Sequence, residues 1–598
     1  MSESDYRRAE RNCDIVMKGG ITSGIVYPAA VCRLAREYRF RSIGGTSAGA
    51  IAAAATAAAE YGRVTGKGSS FSELERLPEL LSAEVAPGAG SRLFRLFEPQ
   101  PETRRLHGTL TAGIRGERGI GKLLSAAFRN YWAFGLLGAL PGLLLAVLFH
   151  LVVAPFPSAL AVLLAWFPWV FLAAVGASMG VARAILRDLR ERVPANFYGL
   201  ASGMGGSEAL TPWLYGLLQS LAGKPNGEPL TFGDLWGADP ARKQIDLQMM
   251  TTCITQERPY RLPFAENEEK LFYFRRADFE RLFPAEVVEW MIARARTGSD
   301  SRVSEELLPL PLGRDLPVIV AARMSLSFPF LISAVPLQAI DFTRGASHPT
   351  PEPCWFSDGG IASNFPVHFF DAPLPGWPTF AINLRYYEET PPANVVMPER
   401  NVDGIADVFR RFEKAGLVGF FKAIFDAMQN WQDNAQAKMP GFRDRIVHVS
   451  LGPGEGGLNL DMPERTVKEI AERGDEAAEL LLSRFAPDST ATLDWDNHRW
   501  VRFRSTMAAL EEMLEKLGPR LAPDFEPPQP GDENYRALLA RESEALPSYP
   551  WTSGRQREEA TRAVKELEEI AARWAEASPK LAAGAPRPMP ELRARPRI

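Results

Sequence analysis

The residues best suited to chemistry in this chain are Gly45-Thr46-Ser47-Ala48-Gly49, a G-x-S-x-G pentapeptide close to the N-terminus. A serine hydroxyl is a weak nucleophile unless a sharp turn presents it beside a base, and the flanking Gly45 and Gly49 permit that turn. The pattern predicts acyl transfer with Ser47 as the nucleophile. Ahead of it lies Lys18-Gly19-Gly20-Ile21-Thr22-Ser23-Gly24, a glycine-rich loop opening onto a helix start. Backbone N–H groups in such a loop can hold the oxyanion of a tetrahedral intermediate, worth about 3–4 kcal/mol per donor. Far downstream, Trp355-Phe356-Ser357-Asp358-Gly359-Gly360 puts an aspartate at the end of an apolar run, before a glycine pair. Asp-Gly is also a common surface-turn dipeptide, so this block alone reads either way.

These groups need elements to hold them. Cys13–Met17 and Phe40–Ile43 read as short strands, each running into one of the glycine loops. A helix is expected from Tyr27 or Pro28 to Tyr38, and an alanine-rich helix from Ala48 through Ala59. Only one strand precedes the nucleophile strand, unlike an α/β-hydrolase, where several strands come first. Further strands are expected at Asp246–Ile254, Leu271–Phe274, Val318–Ala322, Phe380–Leu384 and Arg445–Leu451, with helices between several of them. The pattern implies a three-layer α/β core.

The three blocks, in this order, resemble the patatin-like phospholipase family, and Ala321–Pro329 is similar to the family segment ahead of the aspartate strand. That resemblance covers roughly residues 13–385. It implies a Ser-Asp dyad without histidine, with Ser47 as nucleophile, Asp358 as base, and Gly19, Gly20 and Ile21 at the oxyanion hole. No cofactor or metal is implied. Two positions depart from the family loop G-G-G-x-[RK]-G: Ile21 replaces the third glycine and Ser23 the basic residue. Lys18 reads first as a solvated lysine at a strand end and second as a substitute charge. A histidine triad would have to draw on six histidines. His368 lies close in sequence to Asp358, and beside Phe369-Phe370 it reads as packed or solvated.

Between Arg129 and Arg183 the chain carries no Asp, Glu, Lys or Arg. Ala154–Ser158 divides this window into Tyr131–Val153 and Ala159–Val181, each long enough for the roughly 20 residues that cross a bilayer core. Gly135, Gly138, Pro141, Gly142, Pro168 and Gly176 suit membrane helices, where small residues let backbones approach. We expect a transmembrane hairpin inserted into the catalytic domain; the soluble alternative is a buried helix pair or an apolar lid. Arg115, Arg118, Lys122 and Arg129 precede it, and Arg183, Arg187, Arg190 and Arg192 follow. By the positive-inside rule the catalytic domain faces the cytoplasm, at a cytoplasmic or inner membrane. The polar segment after Met1 has no signal-peptide core, and four scattered cysteines agree with a reducing compartment.

The formal net charge of -4 gives no reason to invoke nucleic acid, and no Asp-rich loop suggests calcium. The expected organisation is a catalytic domain at 1–128 and 183–486, the hairpin at 129–182, a helical accessory region at 487–578, and a disordered basic tail at 579–598. Apolar positions from Phe409 to Trp431 recur at helical spacing and read first as core packing, second as a membrane or acyl-chain contact. Gly452–Gly457 reads as a mobile loop. Two functions remain open: a membrane-associated serine acyl hydrolase acting on phospholipid or lysophospholipid, or a catalytically weak scaffold binding lipid or a protein partner.

Overall fold

Among the described residues thirteen strands organise the chain: β1 (Arg11–Met17), β2 (Tyr38–Gly45), β3 (Gly199–Ala201), β4 (Asp246–Cys253), β5 (Arg258–Leu262), β6 (Tyr273–Arg275), β7 (Leu307–Pro309), β8 (Phe330–Ile332), β9 (Val335–Asp341), β10 (Thr350–Asp358), β11 (Thr379–Tyr386), β12 (Val395–Val396) and β13 (Ile446–Leu451). They belong to a computed structural model that describes residues 3–592 except 21, 85–90, 115–119, 154–158, 207, 297–302, 344–349, 388, 406–415, 458, 461, 528 and 530. Eleven strands form one mixed sheet in the order β12-β13-β11-β1-β2-β4-β10-β9-β6-β7, with β5 paired to β4; β3 and β8 pair separately.

The register of this sheet brings distant residues together. β13, β11, β1, β2 and β4 are parallel and end on a common edge, the edge where α/β sheets bind ligands. β10 enters antiparallel to β4 and sets Asp358 opposite Thr251, while Gly45 at the end of β2 lies opposite Met249. The ends of β2 and β10 therefore meet across β4.

Along β1, Ile15 and Met17 point into the larger core and Val16 into a smaller one with Phe365, Ala381 and Ile446, as the two-residue period of a strand requires. The larger core holds the helices Val26–Ala35, Ala48–Thr65 and Glu464–Arg484. One expected strand is instead a helix, Val318–Ser325, buried along its whole length. A short apolar run enclosed on all sides lacks the alternation that separates strand from helix.

The apolar window holds two long helices, Trp132–Val153 and Ala159–Arg187. The stretches Trp132–Val152 and Ala165–Ala195, of mean hydropathy 2.2 and 1.7, are long enough to cross a membrane, and only 17% of the most apolar part of each is buried. That exposure removes the buried helix pair as an alternative. The helices touch through their glycines: a Cβ on Gly138 would lie 2.1 Å from Gly176 O, and one on Gly176 would lie 2.2 Å from Gly138 O. At the base, Tyr131 OH donates to Asp188 Oδ2 at 2.8 Å, and Arg192 pairs with Asp188 at 3.1 Å.

The helix Gly416–Ala437 turns its apolar side outward. Phe420, Phe421, Ile424, Met428 and Trp431 are exposed, whereas Gln429 and Asp433 reach into the domain. Core packing of this stripe is thus overturned, because the polar face has specific acceptors and donors to satisfy beneath it. Phe409 and Phe412 lie outside the described residues.

Gly452–Gly457, expected to be mobile, is tied down: Arg473 pairs with Glu455 at 2.6 Å, and Gly452 N–H donates to the same carboxylate at 2.7 Å. At the C-terminus, Trp495–Leu521 packs against Gly554–Glu576. The tail, expected to be disordered, lies along them as far as it is described. Glu511 accepts from the N–H groups of Leu581 and Ala582 at 2.9 and 2.8 Å, and Lys580 pairs with Glu515 at 3.0 Å. A buried carboxylate with two backbone donors outweighs the composition of the segment.

Candidate active site

Ser47 occupies the turn between β2 and the helix Ala48–Thr65 with φ 57° and ψ -131°. A non-glycine residue with positive φ is strained, and the strain aims its side chain out of the turn. Gly45 and Gly49 make the turn sterically possible, since a Cβ on Gly45 would lie 2.2 Å from Gly49 O, and one on Gly49 2.4 Å from Met17 O. Ser47 N–H donates to Ser325 Oγ at 3.2 Å. The helix start has no side-chain cap, so its first N–H groups face the site.

Asp358 ends β10 and is 2% exposed. Its Oδ1 accepts from Gly360 N–H at 2.7 Å, and its own N–H donates to Ser327 O at 3.0 Å. Burial pushes its carboxyl up to about 7, and the Ser47 hydroxyl and the Gly360 N–H pull the other way. Oδ2 is enclosed and makes no hydrogen bond of normal geometry.

Among the described residues no histidine contacts either side chain. His448 bonds Asn383 and Arg385, His498 bonds Asp444 at 2.6 Å, and His368 stacks edge-on against Phe369. His348 lies outside the described residues.

The glycine loop borders the same spot. A Cβ on Gly19 would sit 2.9 Å from Ser47 Cβ and 2.2 Å from Asn364 Oδ1. Its N–H, expected among the oxyanion donors, is already engaged by Asn364 O at 2.9 Å. Gly20 is the next N–H in the loop, and Ile21 lies outside the described residues. Ser23, at the position of the family's basic residue, is fully buried with Oγ 2.7 Å from Tyr386 OH; a long cation would not fit there. Lys18 is no solvated lysine. Its ammonium donates to Leu384 O at 3.1 Å, and burial lowers it to about 8 against the opposing pull of Asp433.

A family model described as patatin-like phospholipase matches residues 15–112 and 171–371. The chain belongs to the patatin-like phospholipase family. A curated relative, "RpoH suppressor" of Rhizobium meliloti (strain 1021), is 38% identical over 661 aligned residues that cover 99% of each protein. A solved structure, that of VipD from Legionella pneumophila, is similar at 13% identity with a TM-score of 0.25, over 96% of this chain and 88% of that one; so slight a likeness has no bearing on the fold. The break in the family match, 113–170, contains the first hairpin helix.

Several groups that frame this patatin-like site carry weak sequence signals. Arg323 is buried and bonds Ser327 Oγ at 2.7 Å, Ser202 O at 3.0 Å and Ser333 O at 2.9 Å. It stiffens the turn whose Ser325 and Ser327 hold the backbones of Ser47 and Asp358. Asp433 accepts from Ser363 Oγ at 2.7 Å and from the N–H groups of Asn364 and Phe365 at 2.8 Å. Gln429 donates to Gly360 O. The helical spacing of Asp426, Gln429 and Asp433, opposite the aromatic stripe, was the available signal; Arg323 lay within the family-like segment without a role.

Proposed function

We propose that this protein is a membrane-associated serine acyl hydrolase that cleaves fatty-acyl esters of phospholipids or lysophospholipids. The observation that carries the reading is the pairing of a strained, outward-aimed Ser47 with a buried Asp358 whose carboxyl titrates near neutrality. A base poised near the working pH is what proton transfer from a hydroxyl needs. Asp358 takes the Ser47 proton as Oγ attacks the ester carbonyl, and gives it to the departing alcohol when the tetrahedral intermediate collapses. Water then attacks the acyl-enzyme, losing its proton to Asp358, and Ser47 is regenerated as the fatty acid leaves. Gly20 N–H and the uncapped start of the helix Ala48–Thr65 supply the oxyanion donors in this scheme.

The two exposed apolar helices support insertion in a bilayer, and the cations at their base support a cytoplasmic catalytic domain. Substrate chains then enter from the surface on which the enzyme sits. Purified wild type, Ser47→Ala and Asp358→Asn are to be incubated with phospholipids, lysophospholipids, neutral glycerides and short acyl esters. Fatty-acid release that requires both side chains is expected. Release by Ser47→Ala at the wild-type rate refutes the mechanism; no release by any folded form favours the scaffold reading, to which the engaged Gly19 N–H lends some weight.

A further inference from the structure

A cavity of about 730 Å³ opens between the helices Arg104–Ile114 and Ile120–Asn130. The second of these runs through Tyr131 directly into the apolar hairpin. Among the described residues, Arg104, Lys122 and Arg129 line the cavity against one carboxylate, Glu98. Glu98 lies 3.9 Å from Arg95 Nε. Among the described residues, the three lining cations have no hydrogen-bond or ion-pair partner. This excess of positive charge occurs in a chain of net charge -4, so it is not a background property of the surface.

Like charges gathered around a hollow repel one another and stay together at lower cost when an anion sits between them. Ser125 also lines the cavity and adds a neutral hydroxyl donor, whereas the Thr111 hydroxyl donates to His107 O at 2.8 Å. Guanidinium, ammonium and hydroxyl donors together match the several acceptor oxygens of a phosphate. On the same helix Leu123, Leu124 and Phe128 are exposed, so cationic and apolar groups lie side by side where the hairpin emerges. Basic pockets at the base of membrane helices take lipid headgroups.

We propose that this cavity binds a phosphate group through Arg104, Lys122 and Arg129, at a site separate from Ser47 and Asp358. A lipid headgroup as the source of that phosphate rests on the membrane reading above; a free phosphate does not.

The test compares the full-length protein with the Arg104→Gln/Lys122→Gln/Arg129→Gln triple variant. One arm measures retention of phosphatidylglycerol, against phosphatidylcholine, by native mass spectrometry of nanodisc-embedded protein. The other titrates inorganic phosphate into detergent-purified protein. Each cation removed is expected to weaken binding about fivefold, and all three roughly a hundredfold. Preferential loss of phosphatidylglycerol in the variant supports a headgroup site, and loss of inorganic phosphate alone supports a free-anion site. Equal binding by wild type and variant in both arms overturns the proposal. Resistance to alkaline carbonate extraction reports the hairpin independently, and Ser47-dependent cleavage of a soluble ester, expected to be unchanged, reports the fold and the catalytic reading.

Discussion

The candidate catalytic edge and the hairpin break the ordinary rules of burial in opposite directions. At the edge a carboxylate, a lysine and an arginine are enclosed by protein, with pKa values displaced toward their neutral forms. In the hairpin, leucine, valine and phenylalanine side chains face outward along two helices. Charge removed from water is destabilising, and it is kept where reactivity repays the loss. Apolar surface facing water is destabilising too, and a hydrocarbon environment removes that cost. The comparison teaches that each region is at home in a different solvent. One is dry protein; the other, in our reading, is lipid.

The strongest way to break that contrast is Asp358→Asn. Turnover should fall at least about a thousandfold, by analogy with the loss of the acid in other serine hydrolases. The same variant should melt at a higher temperature than wild type at pH 8. The sign follows from the raised carboxyl: its folded value of about 7 exceeds the unfolded value near 4, so the folded state loses stability as pH rises through that window. Below the window the two proteins should melt alike. An unchanged melting temperature at pH 8 would show that Asp358 is not held at a cost.

Next in size are two single-residue insults, one to each region. Gly19→Ala forces a Cβ against Asn364 Oδ1 and Ser47 Cβ, and turnover should fall about a hundredfold with membrane retention unaltered. Leu144→Arg places a charge on the exposed hairpin face, which costs about 3 kcal/mol at a bilayer centre. Membrane retention should drop while cleavage of a soluble ester persists. Undiminished retention, measured by fractionation and carbonate extraction, would return the hairpin to the role of an apolar lid.

The smallest effect sharpens the electrostatics. kcat/KM for a soluble ester should rise with pH to a plateau, with its midpoint near the Asp358 value of about 7. Ser327→Ala removes a hydroxyl acceptor from Arg323 and should shift that midpoint by a fraction of a pH unit, with KM little changed. A midpoint near pH 4 would mean that the carboxyl is hydrated in solution.

Local signals in the chain were enough to locate the strand-turn-helix around Ser47, the long apolar pair with its glycine contacts, and most strands of the parallel block. Each rests on neighbours in sequence: glycines that permit a turn, apolar periodicity, or charge missing from a long window. The helix Val318–Ser325 was misread because burial on every side erases periodicity. The aromatic stripe of Gly416–Ala437 reads first as core and only second as a membrane or acyl-chain contact because an amphipathic pattern names two faces without saying which one turns inward.

The sequence by itself determined the proposed reagents, Ser47 and Asp358, and the apolar length of the hairpin, because residue type and local spacing are sufficient for those. Only the tertiary structure decided that Asp358 would meet Ser47 across β4, that Gly19 would spend its N–H on Asn364, and that Asp433 and Gln429 would hold the site from an outward-greasy helix. These depend on register and on packing between residues far apart in the chain, where the low dielectric of the closed site, rather than any motif, sets the charge of the base.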